Sequence, residues 1–284
     1  MPHVITNCCK LFADDAKLYR TIRTESDISS LQKDIDSLIQ WSKFWQLPFN
    51  EDKCKCIHLG RDKYSHTYHM NEYQLENVKE EKDLGVIMDH KLNFHTHTSA
   101  AIKKANKILG LIKHSFTTLD ETTLPLLYMS MVRPHLEYGN VIWGPHFKED
   151  IKAVERVQKR ATKMIANIKD LMYSKRLEVL NLPSLHYRRK RGDMIMLYKI
   201  MTNKVNVNVE SFFTLNKNKT RGHLFKIDKR QRATKLPRCQ TFSIRATNDW
   251  NSLPSIVVQA ASTNELKNKL DVYWKNKRFE SPYM

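Results

Sequence analysis

Apolar and polar positions follow two different periods along this chain. Residues 7–12 and 17–23 alternate over short runs and read as strands, joined at Ala13-Asp14-Asp15-Ala16 in a tight hairpin. Ile28, Leu31, Ile35, Leu38, Trp41 and Trp45 then recur at helical spacing behind Ser26, a favourable N-cap. This helix is expected to lay its apolar stripe beneath the hairpin and to stop before Pro48. "PFNEDKCKCIHLG" reads as a loop entering a strand, and residues 66–88 as further short strands. The last of these holds Leu84, Gly85, Val86, Ile87 and Met88, a run expected to form one strand covered on both faces.

From residue 93 onward the period is helical. Ala101, Ile102, Ala105, Ile108, Leu109 and Ile112 form one stripe. Asp120 or Thr123 caps a second helix, carrying Leu127, Tyr128 and Met131 before Pro134. A third turns Ile151, Val154, Val157, Ala161, Met164 and Ile165 inward, and Lys152, Arg156, Lys159, Arg160 and Lys163 outward. A fourth starts near Ser184 and bears Arg188, Arg189, Lys190 and Arg191. Residues 204–240 have few apolar anchors among Lys204, Lys217, Lys219, Arg221, Lys226, Lys229, Arg230 and Arg232, and read as a basic, partly ordered linker. A final helix follows Ser262, whose Glu265 completes a capping box, with Leu266, Leu270 and Tyr273 behind it. The expected fold is α+β: a mixed part over 1–92, a helical part over 93–203, the linker, and a helical segment over 241–284.

Charge changes this picture. The net formal charge is +18, yet residues 1–100 hold 13 of the 48 Lys and Arg and 15 of the 30 Asp and Glu. Residues 101–284 therefore carry 35 basic and 15 acidic groups, an excess of +20 that belongs entirely to the later part of the chain. Such an excess points to a polyanionic partner, RNA or DNA. Cys8, Cys9, Cys54, Cys56 and Cys239 are odd in number and poorly spaced for disulfides, and no apolar run is long enough to span a bilayer. A reducing intracellular compartment, cytoplasm or nucleus, and no membrane partner are the expectation. Cys54, Cys56 and His58 would share a strand face, but a zinc site needs a second ligand pair.

Asp14 and Asp15 are the candidate chemistry. Adjacent carboxylates repel, and a hairpin tip that holds two of them suits a hard cation such as Mg²⁺, which takes one or two carboxylates plus phosphates and water. An Asp pair in a turn is by itself a weak signal, because Asp is common there.

The surroundings strengthen it. "LFADDAKLY" resembles the YADD or FADD box of reverse transcriptases, in the form found in LINE-type (non-LTR), jockey-like retrotransposons. "WQLPFNEDKCKCIHLG", "DLGVIMDHKLNFHTH", "VRPHLEYGNVIW", "VERVQKRATKMI" and "FSIRATNDWNSLP" resemble later segments of the same elements, in order, along nearly the whole chain. The resemblance implies an RNA-directed DNA polymerase working by two-metal nucleotidyl transfer on a template-primer, with Mg²⁺ or Mn²⁺. It implies catalytic and metal-binding roles for Asp14 and Asp15, and a place for Lys53 near the leaving pyrophosphate. Phe12 would lie beside the growing strand, and Leu84-Gly85-Val86 would hold the primer end. The basic residues Arg156, Lys159, Arg160, Lys163, Arg188, Arg189 and Arg191 are the expected nucleic-acid surface.

The family's centre also uses an aspartate from an earlier strand, and the residues before Asp14 include no Asp or Glu. The expectation is a C-terminal portion, from just before the box through part of a palm and a thumb, without polymerase activity on its own. The alternatives are a nucleic-acid-binding module without chemistry and a decayed mobile-element reading frame.

Overall fold

The computed structural model describes residues 5–60, 66–216, 223–228, 240–281 and 283. The chain forms two compact units, Met1–Leu92 and Asn93–Met284. The class is α+β.

The first unit holds a hairpin of β1 (Cys8–Phe12) and β2 (Asp15–Tyr19), the helix α1 (Glu25–Phe44), and six short strands. These are β3 (Lys55–Ile57), β4 (His69–Met70), β5 (Tyr73–Gln74), β6 (Glu76–Val78), β7 (Glu80–Asp83) and β8 (Val86–Asp89). Among the described residues they pair only two at a time, β3 with β6 in parallel and the others as antiparallel hairpins. α1 is capped at Thr24 and not at Ser26. Asp27, three residues on, returns its carboxylate to the Thr24 backbone N–H at 2.9 Å, and Arg20 grips the same carboxylate. The α1 stripe buries Ile35, Leu38 and Ile39, but its core partners are chiefly Tyr68, Met70 and Leu75, with Leu18 the hairpin's contribution. Trp45, expected inside, is exposed at the end of α1 against Phe44. The hairpin is instead tied down by a polar contact: the buried Asp34 accepts from the backbone N–H of Thr6 at 3.0 Å and of Asn7 at 2.6 Å.

The second unit is helical: α2 (His95–Ser115), α3 (Thr123–Leu127), α4 (Arg133–Glu137), α5 (Asn140–Trp143), α6 (Lys148–Thr162), α7 (Tyr173–Val179), α8 (Leu185–Met201), α9 (Phe242–Asn251), α10 (Ser255–Val258) and α11 (Thr263–Tyr273). The α2 stripe is as expected, with Ala101, Ala105, Leu109 and Ile112 buried. Asp120 settles its own alternative, accepting from Thr123 N at 2.6 Å. The next helix does not end at Pro134. It widens into a π-helical turn at Tyr128–Val132 and continues as α4, which accommodates a residue that has no N–H and crowds the carbonyl four positions back. The register turns Tyr128 fully inside and leaves Met131 half-exposed.

Two apolar cores fill this unit. One joins α2, α3, α4, α6 and α7 through residues such as Leu109, Tyr128, Val154 and Leu177. The other joins α8 to α9, α10 and α11 through Leu197, Trp250, Leu266 and Leu270. Just past α11 the final anchor is Trp274, while Tyr273 is half-exposed. The 204–240 stretch contributes more than a linker would: Phe213 and Ile227 enter the second core, and the Trp250 indole donates to the Phe225 carbonyl at 2.8 Å. The cations expected at Lys217, Lys219, Arg221, Lys229, Arg230 and Arg232 lie outside the described residues.

Between the cores sits Glu155 of α6, fully buried. It accepts from the Tyr173 hydroxyl at 2.7 Å and from the first backbone N–H groups of α8, Leu185 and His186, at 3.2 Å each. Ser184 caps the same end, as its sequence position predicts, accepting from Tyr187 N at 3.1 Å. Burial pushes the Glu155 carboxyl upward, and Arg189 with these donors opposes the shift. Glu155→Ala strands three buried donors and is expected to cost about 3–5 kcal/mol in urea unfolding of the full chain. Glu155→Gln, which keeps an acceptor oxygen, is expected to cost about 1–3 kcal/mol. Equal costs for the two would remove the capping carbonyl-type oxygen as the cause.

Candidate functional site

The paired carboxylates sit where a two-residue loop closes β1 onto β2. The register pairs Phe12 with Asp15, so the loop is Ala13-Asp14 and Asp15 opens the second strand. The tip is thus two residues shorter than the expected four-residue connection, and of the two aspartates only Asp14 lies in the turn proper. Ala13 takes a φ of 52°, the left-handed value that such a tight connection demands of one of its residues. Phe12, Asp14 and Asp15 are all exposed.

The donor chemistry of Asp14 and Asp15 suits a hard divalent ion bound together with phosphates and water. Among the described residues, however, no cluster of three or more Asp, Glu, His or Cys side chains could hold a metal. Two carboxylates on one tip are the number that a single such ion takes together with phosphates and water. Lys53 closes a single 3₁₀ turn, Glu51–Lys53, and is exposed. Cys54 and Cys56 carry free thiols that burial pushes upward, toward the protonated form. The His58 ring lies 3.1 Å from the His66 carbonyl and 3.2 Å from Asn77 Oδ1, in a local polar network.

Leu84 and Gly85 are not part of one continuous strand. They form the turn between β7 and β8, with φ values of 44° and 83°. Two successive positive φ angles match the twist of a two-residue hairpin, and Gly85 supplies the second without steric cost. Leu84 is consequently half-exposed at a hairpin tip, while Val86 is buried.

The two expected basic surfaces differ. On α6, Arg156, Arg160 and Lys163 are exposed and Lys159 is half-buried, spaced along one helix face. None of the four makes an ion pair among the described residues, although Arg160 donates to Asn106 Oδ1 at 3.0 Å. On α8 the guanidinium groups turn inward. Arg188 pairs with both carboxylate oxygens of Glu137, at 2.7 Å for the second, and Arg191 does the same with Asp271 at 2.6 and 2.8 Å. The Arg189 head is buried in the field of Glu155, Glu137 and Asp193. Arg188 and Arg191 therefore tie α8 to α4 and α11, both terminal nitrogens of Arg189 are buried without a hydrogen-bond partner among the described residues, and the outward basic face is that of α6.

Sequence periodicity missed the carboxylates that receive these arginines, because Glu137 and Asp271 look like ordinary surface positions. It also missed Arg245, which grips both oxygens of Asp193 at 2.9 Å and the Val141 carbonyl at 2.9 Å. An Arg inside an otherwise amphipathic apolar segment was the available signal.

The chain is 26% identical over 162 residues to the probable RNA-directed DNA polymerase from transposon X-element of Drosophila melanogaster. It is 25% identical over 163 residues to the probable RNA-directed DNA polymerase from transposon BS, and 25% over 174 residues to the RNA-directed DNA polymerase from mobile element jockey, both of the same fly. The chain resembles the reverse transcriptases of non-LTR retrotransposons. The aligned residues make up 54–59% of the chain, less than the six sequence segments suggest, and 18–19% of each relative. No family model matches, and no solved structure matches. Among the described residues no helix is long and apolar enough to cross a membrane.

His186 gives the helical unit a pH signature. Burial pushes its pKa down to about 4, Arg189 and Lys190 add to the shift, and Asp249 opposes it. Between that value and the unfolded value of about 6.5 the folded chain binds fewer protons than the unfolded one, so stability is lost as pH falls through this window. Glu155 and Asp193, raised by burial, act with the opposite sign. His186→Gln is therefore expected to lose part of the destabilisation seen between about pH 7 and about pH 5 in urea midpoints. An unchanged pH dependence would exclude His186 as its source.

Proposed function

We propose that this chain is a portion of an RNA-directed DNA polymerase of a non-LTR retrotransposon, able to bind RNA or DNA but not to polymerise alone. The similarity to three such polymerases, spanning more than half the chain, carries the reading. The exposed Asp14-Asp15 hairpin and the cation-rich face of α6 support it.

In this reading Asp14, with Asp15 beside it, contributes carboxylate to a Mg²⁺ or Mn²⁺ ion, which would neutralise charge developing on the transferred phosphoryl group. Phe12 and the Leu84-Gly85 tip lie against the primer strand, and Lys53 near the leaving pyrophosphate. Two adjacent carboxylates cannot fix two ions in a reacting geometry, and misplacement of about 1 Å already costs on the order of 10²-fold. Primer extension on an RNA template is therefore expected to be absent for the purified chain. Extension that disappears in Asp14→Ala would overturn this.

The basic face predicts a second, independent result. Each cation in contact with phosphate releases counterions, so the logarithm of affinity falls linearly with the logarithm of salt. The double variant Arg156→Glu, Arg160→Glu is expected to reduce the slope for single-stranded RNA by about 2, with the urea midpoint unchanged. No RNA or DNA binding at about 50 mM salt would refute nucleic-acid contact altogether.

A further inference from the structure

The face of α6 runs into a concavity of the helical unit, about 870 Å³ in volume, large enough for a nucleotide. Lys159 and Lys163 stand on its α6 side, and Lys169, Ser174 and Arg176 on the side of α7 and the loop before it. Arg176 is the informative residue, for it is only 2% exposed. Its Nε donates to Thr162 Oγ1 at 3.0 Å, and its Nη1 to the carbonyls of Lys169 at 3.1 Å and Leu171 at 2.7 Å. Its Nη2 is buried with no hydrogen-bond acceptor among the described residues. A buried guanidinium N–H without an acceptor is costly unless something supplies one.

The surrounding charge indicates what that would be. Lys159, Lys163 and Lys169 make no ion pair among the described residues, and Lys163 and Lys169 are exposed. Three acidic side chains also line the concavity: Asp170, Glu178 and Glu280. Glu178 is engaged by Lys175 at 2.8 Å. A metal cation would not serve the Arg176 donor, whereas an anionic oxygen would serve both it and the lysines. Arg156, Lys159, Arg160 and Lys163 follow one another at helical spacings of three and four, so the exposed basic stripe leads into the concavity.

We infer that this concavity is a phosphate-binding site for a nucleic-acid strand lying along α6, with Lys163, Lys169 and Arg176 around one phosphate group. The inference rests on the nucleic-acid reading above and adds to it a specific seat. It is a binding site only, remote in chemistry from the carboxylate hairpin, and no bond is made or broken there.

The test is lysine acetylation of the unmodified full chain, read residue by residue by mass spectrometry, at low salt. It is run alone, with a single-stranded RNA oligonucleotide, and with inorganic phosphate. The oligonucleotide is expected to protect Lys163 and Lys169 more strongly than Lys103 and Lys107 of α2, and inorganic phosphate to protect them weakly. The double variant Lys163→Glu, Lys169→Glu is expected to lower the salt slope of RNA binding by about 1 to 2. RNA binding with unprotected Lys163 and Lys169 would overturn the site and leave the nucleic-acid reading intact. Protection by phosphate but not by the oligonucleotide would make it a small-anion site and overturn the inference as stated. No RNA binding at all would sink both.

Discussion

The helical unit depends on one buried carboxylate. Glu155 has no access to water, and an isolated charge there would be prohibitive. It is tolerated because Tyr173 and the two leading N–H groups of α8 donate to it, and because the Arg189 head lies in its field. The partial positive charge at the start of α8 adds to the same balance. Three helices, α6, α7 and α8, are thereby fixed at one point, and the alignment of α8 decides where every other charge on it goes.

That alignment explains the division of basic residues. Once α8 is seated, Arg188 meets Glu137 of α4 and Arg191 meets Asp271 of α11, each as a two-pronged contact. Arg245 repeats the arrangement from α9 onto Asp193. The Arg188–Glu137 pair bridges the two apolar cores, the other two pairs join helices of the second, and removing one partner would leave a charge stranded among packed helices. Arg156, Lys159, Arg160 and Lys163 of α6 make no ion pair among the described residues and are available to a polyanion.

The first unit is held by less. Its apolar core is small, centred on Ile35, Ile39, Tyr68, Met70 and Leu75, and its strands pair only two at a time among the described residues. Two-stranded ribbons are marginal by themselves. The carboxylate hairpin is joined to α1 mainly by Asp34, which takes the N–H groups of Thr6 and Asn7 just ahead of β1. Leu11 and Phe12 remain exposed beside the aspartates, an apolar margin around a polar tip.

Periodicity and local chemistry by themselves determined α1, α2, α6, α8 and α11, the start of α8 near Ser184, the Ser262 cap, the β1–β2 hairpin and the family resemblance carried by its FADD box. These follow from interactions within a few residues, or from a motif that is local by nature. The sequence did not reveal that Leu84-Gly85 is a turn, since its apolar neighbours suit one strand or two. Nor could it tell the arginines of α8 from the cations of α6, because both are dense runs of positive charge on amphipathic helices. Only the tertiary structure brings Glu137 and Asp271, dozens of residues away in sequence, against one set and leaves the other open to solvent. The fate of a charge depends on its distant neighbours, and those are fixed only when the helices pack.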